Sequence, residues 1–319
     1  MSLKFWQTSR RQIPIGDKTL VMGILNVTPD SFSDGGKFYS LDQALNHAGT
    51  MIAEGADILD IGGESTRPDS AQITTAEEIK RIVPVVKEIA KRFGIPISVD
   101  TTKASVAEAA IEAGAEIIND VSGLRFDEKI AEVAAKTDAG LILMHLRGTF
   151  ETMHKQEPIA DIVHEVKNGL RLSIEKAESR GVKREQIALD VGIGFSKTFE
   201  QNLELLAKLE EICADFSDFP MLIGTSRKSF IGKILNDAPA DRRTAHFACA
   251  AAIALPDGRS FALKTDDGAP RVRPVLMAAA LERMGVPDEP GVDAAAVRRT
   301  GDLALLGGGR RVGEIRAVF

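Results

Sequence analysis

Along this 319-residue chain, polar residues able to do chemistry recur where short apolar runs end. In order they are Asn26, Asp60, Asp100, Asn119 with Asp120, His145 and Asp190, then Ser226, Arg227, Lys228 and Ser229. Carboxylates and carboxamides gathered in one mouth suit a ligand with many N–H donors, and they can share a hard divalent cation. A lysine at such a place can donate to a carbonyl or a phosphate. Backbone N–H groups at a strand-to-helix turn, as over 226–229, bind anions. Asp and Asn also cap helices and build turns, which explains any one of them as well. Their recurrence at run after run favours a shared site.

Two loops add to this set. In GILNVTPDSFSDGG a run ending at Asn26 passes into a Gly-, Ser- and Asp-rich loop, where Phe32 stands among small polar residues and reads as a lid contact on a substrate. A plain long loop is the alternative. In DILDIGGESTRP, Gly62 and Gly63 turn the chain into Ser65, Thr66, Arg67 and Pro68, where Arg67 can meet an anion or simply lie on the surface.

The elements that must position these residues follow from hydrophobic period. Short β-rich runs are expected at Leu20 to Leu25, Ile58 to Ile61, Ile97 to Val99, Glu116 to Ile118, Leu141 to Met144, Ile187 to Leu189 and Met221 to Ile223. Helical period marks Leu41 to Glu54, Thr75 to Phe93, Ala104 to Ala113, Asp127 to Thr137, Pro158 to Arg180, Phe199 to Ala214 and Phe230 to Asn236. Strands apolar on both faces need helices outside them. This repeat is therefore that of an α/β protein with a (β/α)8 TIM barrel, with a doubly wound sheet as the alternative. Both folds place sites at strand C-termini.

Composition narrows the class. Hydrophobic residues at 44% and charged ones at 27% describe a globular chain, not a disordered one. With 40 Lys plus Arg against 46 Asp plus Glu, the net charge is −6, so no basic field exists to hold nucleic acid. Two cysteines, Cys213 and Cys249, exclude a disulfide framework and a cysteine zinc site. No signal core or membrane-length apolar run occurs, so a cytoplasmic protein with no membrane partner is expected.

GILNVTPDSFSDGG, DIGGESTRP, SVDTTK, INDVSG, LMH, LDVGIGF and TSRKSFIG together resemble the successive signatures of the dihydropteroate synthases, over about residues 18 to 255. The resemblance implies a barrel that condenses 6-hydroxymethyl-7,8-dihydropterin diphosphate with 4-aminobenzoate, giving 7,8-dihydropteroate and pyrophosphate in folate synthesis, with Mg2+ assisting. It implies that Asp100, Asn119, Met144, Asp190, Gly224 and Lys228 form the pterin pocket. Asp100, Lys228 and Asn26 would carry the chemistry, with Asn26 beside the diphosphate and its magnesium. Phe32, Thr66, Arg67, Pro68, Phe195 and Ser229 would hold aminobenzoate, and sulfonamides, which mimic it, would inhibit. The family is commonly dimeric through its last helices, which implies a homodimer.

The resemblance ends near residue 255. An Arg-x-His-Asp pattern should close an eighth strand, but the chain reads LPDGRSFALKTDDGAPRVRP and its last histidine is His246. Composition changes at the same point, with 1 Lys and 9 Arg from 256 to 319. The tail, through GGGRRVGEIRA, weakly resembles the C-terminal end of bacterial type II L-asparaginases, without the rest of such an enzyme. We therefore expect a barrel of seven βα units over 1–255 and an atypical segment over 256–319. In that segment, 260–265 would supply the eighth strand, 275–284 the closing helix, and Lys264 would stand near the place of the missing arginine. A catalytically weakened or silent pterin-binding protein is the competing reading. A related corrinoid-linked methyltransferase barrel is not expected to keep NVTPDSFSDGG or SRKS.

Overall fold

The computed structural model describes residues 5–15, 20–28, 37–65, 72–153, 155–225, 228–234 and 261–265. The chain begins with a hairpin, β1 (Phe5–Gln7) and β2 (Gln12–Pro14). Strands then alternate with helices: β3 (Leu20–Asn26), α1 (Lys37–Ala53), β4 (Ile58–Gly62), α2 (Thr75–Arg92), β5 (Ile97–Asp100), α3 (Ala104–Ala113), β6 (Ile117–Asp120) and α4 (Lys129–Thr137). They continue with β7 (Gly140–Met144), α5 (Ile162–Ser179), β8 (Ile187–Asp190), α6 (Phe199–Ala207), α7 (Leu209–Asp215), β9 (Met221–Ile223), α8 (Ser229–Ile234) and β10 (Phe261–Thr265). Strands β3 to β10 close a parallel barrel in which β10 stands between β9 and β3. Lys264 pairs with Met22, and Leu263 with both Val21 and Ile223.

Successive side chains on a strand point to opposite faces. One face fills the barrel with Leu20, Met22, Ile58, Ile117, Ile142, Ala188 and Leu222, and the other, including Leu25, Leu59, Ile61, Val99, Ile118, Leu143 and Leu189, packs against the helices. The N-terminal hairpin plugs the floor: Trp6 and Ile13 join the interior cluster, and Trp6 Nε1 donates to the Gln186 carbonyl at 2.7 Å. Sequence period alone does not reveal this hairpin, because each of its strands buries a single residue in the middle.

Helix boundaries follow their caps. Thr74 accepts from the Glu77 amide to start α2, and Asp161 accepts from His164 to start α5, so the helix expected from Pro158 begins at Ile162. Asp127, expected inside a helix, instead caps two: its carboxylate accepts from the amides of Ala104 and Lys129. The segment Phe199 to Ala214 divides at Lys208 into α6 and α7.

Candidate active site at the barrel mouth

Alternation along the strands decides which polar residues reach the mouth. Two or four residues beyond the interior positions Met22, Ile58, Ile117, Ile142, Ala188 and Leu222 stand Asn26, Gly62, Asn119, Met144, Asp190 and Gly224, each on the interior face. Asp100 joins them through its pairing with Gly62 on one side and Asn119 on the other. The structure thus brings together Asn26, Asp100, Asn119, Met144, Asp190 and Gly224 at one rim.

Gly62 leaves open the space between two of them. A Cβ there would lie 3.6 Å from Asn26 Oδ1 and 3.8 Å from Asp100 Oδ2. Asn119 is 1% exposed, and its Nδ2 donates to Asp60 Oδ2 at 3.0 Å, which orients the carboxamide. Asp190 accepts the Gly192 amide at 2.7 Å through Oδ1. Met144 packs with Val121, Leu146 and Met153, against which the half-buried Phe126, Phe150 and Phe195 lie. The Lys228 ammonium rests 3.8 Å from the centre of the Phe195 ring, a cation–π contact. Ser229 opens α8 and is exposed. Phe32, Thr66, Arg67 and Pro68 lie outside the described residues.

Three residues expected at the mouth are elsewhere. Asp60 stands one layer down, wholly buried beneath Asn119, because β4 runs two residues further to Gly62. Asp120 has the opposite parity from Asn119. Its carboxylate accepts from the amides of Ser122 and Leu124 and from the Ser122 hydroxyl, a turn-building role, and burial raises its pKa from 3.8 to about 6. His145 follows Met144 and so turns outward against α5, where a Cβ on Gly169 would come 2.5 Å from its ring. Burial, helped by Lys197, Arg125 and Arg147, holds this imidazole well below its ordinary pKa, so it is neutral at pH 7.

Lys197 was not singled out by sequence reasoning. It is half-buried overall, but its amino group turns inward to donate to the carbonyls of Gly192 and Phe195, both at 2.9 Å, and of His145 at 3.3 Å. Burial pushes this amine down to about 7; Asp190 opposes the shift, and Lys228 and Arg147 add to it. The available signal was a lysine three residues beyond a Gly-x-Gly turn, which alone is indistinguishable from a surface lysine.

A partly buried ion cluster lies at the foot of the loop after β4. Lys103 donates to Glu64 at 3.1 Å, to Glu78 at 2.7 Å and to the Ile73 carbonyl at 3.0 Å, while Glu64 accepts the Ile73 amide at 2.7 Å. It ties together Glu64 and Ile73, which bracket the segment containing Thr66, Arg67 and Pro68. Among the described residues no cluster of three or more His, Cys, Asp or Glu side chains could hold a metal ion, and no helix is long and apolar enough to cross a membrane.

Comparison with known proteins agrees with this geometry. The family model described as pterin binding enzyme matches residues 22–261, most of the chain. A dihydropteroate synthase of Clostridium beijerinckii is 51% identical over 226 residues, covering 71% of this chain and 81% of its own. The solved dihydropteroate synthase of Xanthomonas albilineans with 4-aminobenzoic acid superimposes with a TM-score of 0.74 at 34% identity, covering 88% of this chain and 97% of that one. The Yersinia pestis enzyme in complex with a sulfonamide drug gives 0.73 at 36% identity, covering 93% and 99%. A second family model, L-asparaginase II, matches residues 208–317, about a third of the chain, and overlaps the first over residues 208–261, from α7 to the start of β10. The chain belongs to the pterin binding enzymes, in their dihydropteroate synthase branch.

Proposed function

We propose that this chain joins 6-hydroxymethyl-7,8-dihydropterin diphosphate to 4-aminobenzoate, and that the rim of Asn26, Asp100, Asn119, Met144, Asp190 and Gly224, with Lys228, is its pterin site. The single observation that carries the reading is the shared interior parity of these residues at the C-terminal end of the barrel. Their chemistry matches a pterin edge. Asp190 accepts from the 2-amino and N3–H groups, Asn119, held by Asp60, both donates and accepts, and Lys228 donates to the ring carbonyl and N5. Met144 and its apolar neighbours cover the ring.

In the reaction the amine nitrogen bonds to the exocyclic methylene carbon, the C–O bond breaks with its electron pair leaving on diphosphate, and the amine sheds a proton. Bond breaking runs ahead of bond making, so positive charge builds on the pterin, and the Asp100 carboxylate stabilises it. No protein nucleophile is needed. Phe195 and Ser229, with Phe32, Thr66, Arg67 and Pro68, form the aminobenzoate side, where sulfonamides would compete.

Asn26 and Asp100 fit Mg2+ in kind. Their oxygens face one another across the side-chain space of Gly62, and this cation needs only one or two protein oxygens beside substrate phosphates and water. When bound, Mg2+ supplies charge neutralisation on the departing diphosphate. The reading includes a cytoplasmic setting, a homodimer, and a tail from about 256 that takes over the last strand of the barrel.

Pyrophosphate release by the full-length chain, measured with the diphosphate and Mg2+, with and without 4-aminobenzoate and with and without EDTA, tests the proposal. Release that needs both substrates and the cation is expected. A folded chain that binds pterin but releases nothing would favour a silent pterin binder. The specific observation behind that second reading is the sequence FALKT over β10, where the family pattern has Arg and His.

A further inference from the structure

The loop between β8 and α6, residues 191–198, is held on every side. Its backbone is tightly bent, with positive φ at Gly192 (70°), Gly194 (81°) and Ser196 (55°). Gly192 donates to Asp190, the Gly194 amide donates to Asn202 Oδ1 at 2.6 Å, and the Ser196 hydroxyl donates to the Arg147 carbonyl at 2.8 Å while accepting from the Arg147 amide at 3.1 Å. The Lys197 amino group sits within this bend and donates to three carbonyls from two segments: His145, just past β7, and Gly192 and Phe195 on the loop itself.

We propose that Lys197 is a positioning residue for the amine side of the reaction, fastening the loop that carries Phe195 to the end of β7 and so fixing the ring on which the Lys228 ammonium rests. The inference rests on the assignment of Phe195 to the aminobenzoate pocket made above. The geometry restricts what Lys197 can do. Its donors are spent on main-chain carbonyls, so it acts on the substrate only through the loop. Carbonyls turned inward at a bend lose a partner that water replaces poorly when the amine is removed, and the bend is then free to open. Phe195 moves first, because its own carbonyl is one of the acceptors. The pterin edge moves least, because Asn119 is held by Asp60 and Met144 lies on a strand.

The test is Lys197→Met in the full-length protein with Mg2+, reading KM for each substrate together with backbone amide exchange of the ligand-free chain. Loss of its hydrogen bonds to three carbonyls predicts a KM for 4-aminobenzoate raised about tenfold or more, with a smaller rise in KM for the diphosphate, whose ligands Asp190 and Lys228 touch the same loop. Exchange over 191–198 should accelerate while β5 and β6 keep their protection. An unchanged KM for the amine, or an equal rise in both KM values with exchange accelerated across the barrel, would overturn the inference. Lys197→Gln, which keeps two N–H donors on a shorter stem, provides the second arm if the first variant does not fold. It should recover part of the protection over 191–198 compared with Lys197→Ala, and equal exchange in the two overturns the inference as well. If the wild-type chain turns over nothing, the functional reading fails on its own assay. The hold of Lys197 on the loop is then decided by exchange alone.

Discussion

Gly192→Ala concentrates the site's structural logic in one methyl group. Gly192 has a φ of 70°, where an L-residue costs about 1–2 kcal/mol. Space is the larger difficulty. A Cβ there would fall far inside 3.0 Å of the His145 carbonyl oxygen and 3.1 Å from Lys197 Nζ. The obstructing atom is backbone at the end of β7, fixed by the His145 amide donating to the Asp190 carbonyl at 2.9 Å, so it cannot swing aside as a side chain would. The loop must therefore retreat by most of an ångström, taking with it the Gly192 amide that orients Asp190 and the carbonyl that Lys197 holds. Misplacement on the order of 1 Å costs about a hundredfold in rate. A loss of about 1–3 kcal/mol in a chain of 319 residues lowers the melting temperature by roughly 1–2 °C per kcal/mol. The assay is amine-dependent pyrophosphate release beside a thermal melt. A Gly192→Ala protein that keeps wild-type turnover would show that the bend relaxes freely, and would refute the claim that this loop is rigidly keyed to β7.

Two further outcomes follow from other parts of the structure. Asp120, raised by burial from 3.8 to about 6, binds its proton more tightly folded than unfolded. The stability it contributes is therefore full below pH 3.8 and is lost as pH rises through about 6. Melting temperature measured from pH 4 to 6.5 should fall in wild type relative to Asp120→Asn, and parallel curves would remove the assignment. Ending the chain at residue 255 deletes β10 and exposes the pairing edges of β3 and β9, so loss of cooperative melting and self-association are expected. A 1–255 fragment that melts as the full chain does, followed by calorimetry, would show that the tail does not complete the barrel.

Much of the architecture was legible because each βα unit carries its own signal. Apolar runs such as Leu141–Leu143 are buried on both faces, and amphipathic stretches such as Ala104–Ala113 cover them, so type and order of elements follow from local period. The rim residues Asn26, Asp100, Asn119 and Asp190 were legible for a related reason: each is the last or next-to-last residue of its strand, and a barrel gathers such ends in one place. The sequence motifs also sufficed for the family.

What required tertiary structure was the direction in which each side chain faces. Asp60, Asp120 and His145 look like Asn119 and Asp190 in one dimension. A one- or two-residue change in where the strand ends sends them below the rim or to its outer side, because alternation reverses the face at every residue. Lys197 was hidden for another reason. Its partners are backbone carbonyls as far as 52 positions away in sequence, and carbonyls have no residue type to read. The same holds for the hairpin whose Trp6 meets Gln186 across 180 positions. Sequence by itself determined the order of the barrel's βα units, the family and most of the polar rim. Only the closed barrel decided which of those groups face its mouth and which spend their hydrogen bonds keeping the others in place.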